Sequence, residues 1–112
     1  MSRIAAHLEV AGLIRLAQAE GGFAAVLRRG ERDAGTILVV ALQNGKNPRL
    51  FERFPSIDGS RRWTETRAQP SENPGDFEAY LARRAAQDGD LWLIELDVPN
   101  PQRLIDTTGT SV

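Results

Sequence analysis

The sequence predicts an α+β fold: a single layer of mostly antiparallel sheet packed by two helices, in the order α-β-β-β-β-α-β-β. Three observations carry this. Two segments, one near the start and one after residue 73, repeat apolar residues at helical spacing. Between them, short segments rich in β-branched and aromatic residues are separated by Asn, Gly, Pro and Asp, which reads as consecutive hairpin-type connections with helices on one face. The run Ile37 to Leu42 is apolar without alternation, the pattern of a central strand buried on both faces.

Taken in order, Ser2 caps a first helix from Arg3 to Glu20. Ala6, Val10, Leu13, Ile14 and Ala17 form its stripe, Leu8 and Leu16 fall outside it, and Gly21-Gly22 ends it. Phe23 to Arg29 reads as a strand and Gly30 to Gly35 as a polar turn, with Asp33 bonding to backbone N–H groups and Gly35 taking an unusual φ. Thr36 to Leu42 is the central strand. The segment Gln43 to Pro48 turns the chain into a strand at Arg49 to Phe54, Pro55 to Ser60 turns it again, and Arg61 to Thr66 is a fourth strand carrying Trp63. Asn73-Pro74 opens a second helix to Gln87, with Phe77, Tyr80, Leu81 and Ala85 on one side. Leu91 to Leu96 is a further buried strand. Pro99-Asn100-Pro101 then turns toward a last edge strand at Arg103 to Asp106, followed by a tail from 107 to 112.

A chain of 112 residues is expected to form one domain over 1–112. It contains no cysteine, which excludes thiol nucleophiles, redox pairs and thiolate metal sites and leaves stability to packing or to a partner subunit. His7 and Glu9 interrupt any leader-like apolar stretch, and the longest apolar run is far short of the roughly 20 residues that span a bilayer. The expected location is cytoplasmic, with no membrane association. Net charge is -1, yet residues 1 to 67 carry 11 basic and 7 acidic side chains and residues 68 to 112 carry 3 and 8. Near neutrality with a single lysine disfavours nucleic acid, although Arg49, Phe51, Arg53, Arg62 and Trp63 mix basic and aromatic character.

No catalytic constellation emerges. The sole histidine, His7, lies near a helix start without a second histidine at i+4, and no serine sits in a nucleophile elbow. Gly30 to Gly35 precedes a strand, whereas a phosphate loop precedes a helix. The polar candidates are Arg28, Asp33, Arg62 and Glu95. Arg28 and Arg62 would clamp an anion if their strands meet, and otherwise form ion pairs with Glu52, Glu65 or Glu95. Glu95 and Asp97 share a strand face and could converge on a divalent metal, but a salt bridge from Glu95 to an arginine is the favoured reading, so no metal and no cofactor are expected. Trp63 and Trp92 are candidate aromatic contacts, with core packing the favoured role for both.

The blocks Arg28-Arg29-Gly30 with Asp33-Ala34-Gly35, Arg61-Arg62-Trp63, Tyr80-Leu81-Ala82-Arg83 and Asp88-Gly89-Asp90-Leu91-Trp92-Leu93-Ile94-Glu95 resemble an uncharacterised family of alphaproteobacterial proteins of about this length. Gly89 stands where that family commonly has proline, which alters turn stiffness. The resemblance spans nearly the whole chain and implies one compact domain and no established activity; it marks Arg28, Asp33, Gly35, Arg62, Trp63, Trp92 and Glu95. The leading functional expectation is a small non-enzymatic domain that binds a protein partner or self-associates as a homodimer. The alternatives are an anion-binding domain or small enzyme acting on a phosphorylated or carboxylated metabolite, and metal-assisted phosphodiester chemistry by Glu95 and Asp97.

Overall fold

A computed structural model describes residues 5–55, 61–68 and 74–109. Its elements are α1 (Ala6–Ala19), β1 (Phe23–Arg28), β2 (Ile37–Gln43), β3 (Lys46–Pro55), β4 (Arg61–Ala68), α2 (Pro74–Gln87), β5 (Trp92–Val98) and α3 (Pro101–Gly109). Ser2, Asn73 and the turn beyond Pro55 lie outside the described residues. The α+β class and the mostly antiparallel sheet agree with the sequence reading.

α1 starts later than expected, after Ala5, whose side chain caps nothing. The carbonyls of Asp33 and Arg32 accept from the N–H groups of Ala6 and His7 instead, so a distant loop satisfies the helix start. At the other end Gly21, at φ 82°, and Gly22 return their N–H groups to the carbonyls of Gln18 and Ala17. That double bond pattern is a Schellman stop, and it requires a residue at ease in the left-handed region.

The strand order is β1-β5-β2-β3-β4. β2–β3 and β3–β4 are antiparallel neighbours, and Asn44 (φ 50°) with Gly45 (φ 80°) makes a two-residue turn that starts β3 already at Lys46. The expected chain of hairpins fails at β1–β2, because β5 inserts between them, antiparallel to β1 and parallel to β2. The two most apolar strands thereby take central positions, and β1 and β4 become edges.

Helices cover both faces, not one. Val10, Leu13 and Ala17 of α1 and Leu104 and Ile105 of α3 pack on Val39, Phe51, Ile94 and Leu96. On the opposite face Phe77 of α2 packs on Leu38, Val40, Leu50 and Leu93. A strand apolar on both sides needs cover on both sides, so the burial of β2 decides this arrangement.

The predicted edge strand at Arg103 to Asp106 is the helix α3, and the expected tail at 107 is still helical through Gly109. Pro101 fits the first helical position, and the Asn100 Oδ1 accepts from the Arg103 N–H at 3.1 Å. Leu104 and Ile105 are both buried, which adjacent residues of a one-sided edge strand could not be. Replacing Asn100 with alanine is expected to cost about 1 kcal/mol, read as a shifted denaturation midpoint with an unchanged m-value.

Candidate functional site

Two features stand out once the fold is in place: a buried polar cluster under α2, and an apolar cleft that continues onto the β1 edge.

The polar cluster centres on Glu52, which is only 3% exposed. β3 alternation points it, like Leu50, toward α2. Thr66 Oγ1 donates to its Oε2 at 2.7 Å, Tyr80 Oη donates to the same oxygen at 3.1 Å, and Arg84 Nη1 donates to Oε1. Arg84 also donates to Tyr80 Oη at 2.9 Å, since residues four apart on α2 share a face. Arg67 stacks on the Tyr80 ring at 3.9 Å from its centroid. Burial alone would raise the Glu52 carboxyl, but the bonds from Arg84, Thr66 and Tyr80 outweigh it and hold the group below its ordinary value. Burial likewise disfavours the charged Arg84, and Glu52 and Tyr80 reverse this and raise it. Both carboxylate oxygens of Glu52 accept inside the cluster, which is the chemistry of a structural clamp between α2 and the β3–β4 edge.

The cleft, of about 330 Å³, lies beside α2 on the same face. Leu27, Val40, Leu42, Pro48, Phe77 and Leu81 make its walls, with Glu78 and Glu95 among them. α2 packs over β2, β3 and part of β5 and leaves the β1 side uncovered. There Phe23 is 75% exposed and Leu27 51%, while Val26, on the α1 face of the same strand, is 44% exposed. By register Phe23 stands opposite Asp97 and Ala25 opposite Glu95, so Phe23, Ala25 and Leu27 all belong to the cleft face.

The residues marked by the sequence distribute as follows. Glu95 lines the cleft, half-buried between Ala25 and Val40. Arg28 stands opposite Leu93, beyond a bulge after Val26, and its Nε is buried without a hydrogen bond. Among the described residues no ion pair joins Glu95 to an arginine. The ion pairs among the described residues are Arg84–Glu52, Arg49–Glu65, Arg53–Glu9 and Arg103–Glu20.

Arg62 lies in β4 opposite Phe54, and its side chain is outside the described residues. β1 and β4 are opposite edges, four strand spacings of about 4.8 Å apart, or about 19 Å. With α2 packed over the strands between them, β1 and β4 do not meet, which is the condition for Arg28 and Arg62 to clamp one anion.

Asp33 is exposed in the β1–β2 loop and does not make the expected turn bonds. Glu31 makes them: its Oε2 accepts from the N–H groups of Asp33 and Ala34 at 2.7 and 2.6 Å. Those bonds, led by Ala34, lower the Glu31 carboxyl. Gly35 has no positive φ; its reason for being glycine is close packing on Asp90 and Trp92. Trp92 is core, 4% exposed, with its indole N–H bonded to the Glu31 carbonyl at 2.6 Å. Trp63 is half-buried against the α1-side core with Arg53 stacked on it at 4.9 Å. His7 Nδ1 and the Arg32 carbonyl are 3.0 Å apart at the start of α1, a tether for the loop.

Among the described residues no three His, Asp or Glu gather as a metal site, and Asp97, which shares a face with Glu95, instead accepts from the Gly45 N–H at 2.9 Å. None of the described helices is long and apolar enough to cross a membrane. Sequence reasoning missed both the Glu52 cluster and the exposed β1 edge. The available signal for the first was the i, i+4 pair Tyr80 and Arg84; the second depends on strand order.

Comparison with known proteins bears on the whole chain. The protein of unknown function family DUF1491 matches residues 4–106. The crystal structure of a DUF1491 family protein from Caulobacter crescentus is 32% identical, with TM-score 0.79, covering 91% of this chain and 94% of that one. An NMR structure of a DUF1491 family protein from the same organism is 32% identical, with TM-score 0.77 and 94% of each chain covered. The solution structure of a protein from A. tumefaciens is 28% identical, with TM-score 0.74 and 93% of each covered. Among curated proteins none matches. With the match spanning nearly all of its length, and the expected alphaproteobacterial relatives among the solved structures, the chain belongs to the DUF1491 family.

Proposed function

We propose that this protein is a small non-enzymatic interaction domain that docks a polypeptide along the β1 edge and the adjoining cleft. The observation that supports this is the exposure of Phe23, Val26 and Leu27 on one short edge strand. Edge strands are normally blunted by charge, proline or covering elements, because their unpaired N–H and C=O groups template another strand. β1 reads Phe-Ala-Ala-Val-Leu-Arg and has no charge until its last residue. An extended partner segment would complete the sheet and cover the apolar residues, with the cleft receiving one of its side chains.

The test is a photoactivatable residue at position 27 in the native host. Crosslinks to a polypeptide, either a second copy or a different chain, are expected at much higher yield than from the exposed position 82 on α2. Equal yields at the two positions would overturn the reading.

A further inference from the structure

The β1 edge fits its own copy. We propose that the occupant is a second molecule of this chain, its β1 running antiparallel to the first about a two-fold axis at Ala25. This rests on the reading of β1 as a docking edge and specifies its partner.

The register follows from three constraints. A continuous sheet pairs residues that point to the same face, so residue numbers facing each other across the axis must have an even sum before the bulge. With Ala25 opposite Ala25, Phe23 of each copy faces Leu27 of the other on the cleft face, and Ala24 faces Val26 on the α1 face. The three exposed large apolar residues of β1 thereby all receive apolar partners. Moving the axis to residue 26 would set Phe23 against Arg29, and moving it to 24 would leave Leu27 beyond the acidic end of its neighbour.

Charge supports the same register. Arg28, the residue after the last paired one, would lie near the Gly22 end of the second copy's β1. Asp97 lies beside that point, since it pairs with Phe23 and its carbonyl oxygen would be 2.1 Å from a Cβ at Gly22. Asp97 stands on the cleft face with its carboxylate bonded to the Gly45 N–H, so it offers the neighbouring Arg28 a negative charge on the same face of the sheet and not a hydrogen-bonded partner, twice by symmetry. The bulge falls at Leu27, the last residue of this register, so the inner pairs Ala25–Ala25 and Ala24–Val26 are regular and the Phe23–Leu27 contact closes each end. A contact between two short edge strands is small, so the association is expected to depend on concentration.

The chain lacks cysteine, which makes the register directly testable. Directly opposed residues of an antiparallel pair have Cα atoms about 4.5 to 5.5 Å apart, within the range that a disulfide bridges. Ala25→Cys is expected to oxidise to a covalent dimer under mild glutathione oxidation, at least tenfold faster than Leu8→Cys on exposed α1. Phe23→Cys mixed with Leu27→Cys should give predominantly the mixed dimer. Sedimentation of the unmodified chain should show a dimer that Phe23→Lys dissociates; Phe23 is so exposed that the monomer fold survives, as circular dichroism will verify.

Equal oxidation of the two single variants, or a strict monomer across the concentration series, would overturn the proposal. If position 27 then still crosslinks to a different polypeptide, the docking reading stands without self-pairing. If it crosslinks to nothing, both fall.

Discussion

Replacing Arg84 with alanine is expected to destabilise the fold by about 3 kcal/mol, lowering the melting temperature by about 12 °C for a chain of this length. Glu52 is buried, and Arg84 is its only charged partner among the described residues. Removing Arg84 leaves a carboxylate in the α2–sheet interface with only the Thr66 and Tyr80 hydroxyls to donate to it. The cost is the penalty for stranding a charge, not the worth of the ion pair itself. Adding Glu52→Gln to the variant removes that charge, so the double variant should be more stable than Arg84→Ala alone. Thermal or urea denaturation of the two variants measures the difference, and additive losses would show that the pair is not coupled.

The same cluster sets an acid limit. The folded-state value of Glu52 lies below its ordinary value of 4.5, so its stabilising contribution is complete above that value, where the carboxyl is ionised folded or unfolded. As pH falls further the unfolded chain takes up the proton first, and the contribution is lost as pH passes through the folded-state value. Arg84→Ala removes the strongest of the groups that oppose burial, so its pH dependence should be flatter. The two stability curves are therefore expected to converge on acidification, and a constant separation from neutral to acid pH would refute the assignment.

What could be read in the sequence was local. Asn44-Gly45 encodes its own turn, Gly21 its helix stop, and Pro74 the start of α2 with the very bounds observed. Asn100-Pro101 carries the same kind of start signal, yet its four following residues also suit a short strand. The helix wins because it buries Leu104 and Ile105 together against α1 and the sheet.

Strand order is a different matter. β5 between β1 and β2 is chosen by the burial of Leu91 to Val98 against partners more than fifty residues away, and no local pattern names them. One inconsistency was visible in advance: a strand apolar on both faces cannot lie in a sheet with helices on only one. The site depended on the same long-range facts. Arg28 and Arg62 belong to one cleft only if their strands adjoin, and the sheet order separates them. Phe23 and Leu27 read as ordinary strand residues until β1 proves to be an edge. Glu52 gives no sign of burial before α2 brings Tyr80 and Arg84 over it.

Gly35→Ala and Gly12→Ala add the same methyl group and are expected to act in opposite directions. At Gly35 the new Cβ would lie 2.3 Å from the Asp90 carbonyl oxygen and 2.9 Å from Trp92 Cδ1. Neither can yield cheaply: the Asp90 carbonyl also accepts from the Glu31 N–H at 2.9 Å, and the Trp92 indole is held by the Glu31 carbonyl. The loop would have to lift from β5, breaking bonds that also position the Asp33 and Arg32 carbonyls at the start of α1. A loss of about 3 kcal/mol follows from such overpacking. At Gly12, inside α1, nothing lies within 4 Å of the added carbon. Alanine there spares the unfolded chain's extra freedom and should stabilise by about 0.5–1 kcal/mol. Paired denaturation curves decide the matter: a tolerated Gly35→Ala would show that the 30–35 loop does not pack on the start of β5, while a destabilising Gly12→Ala would show that another surface closes on α1 at that point.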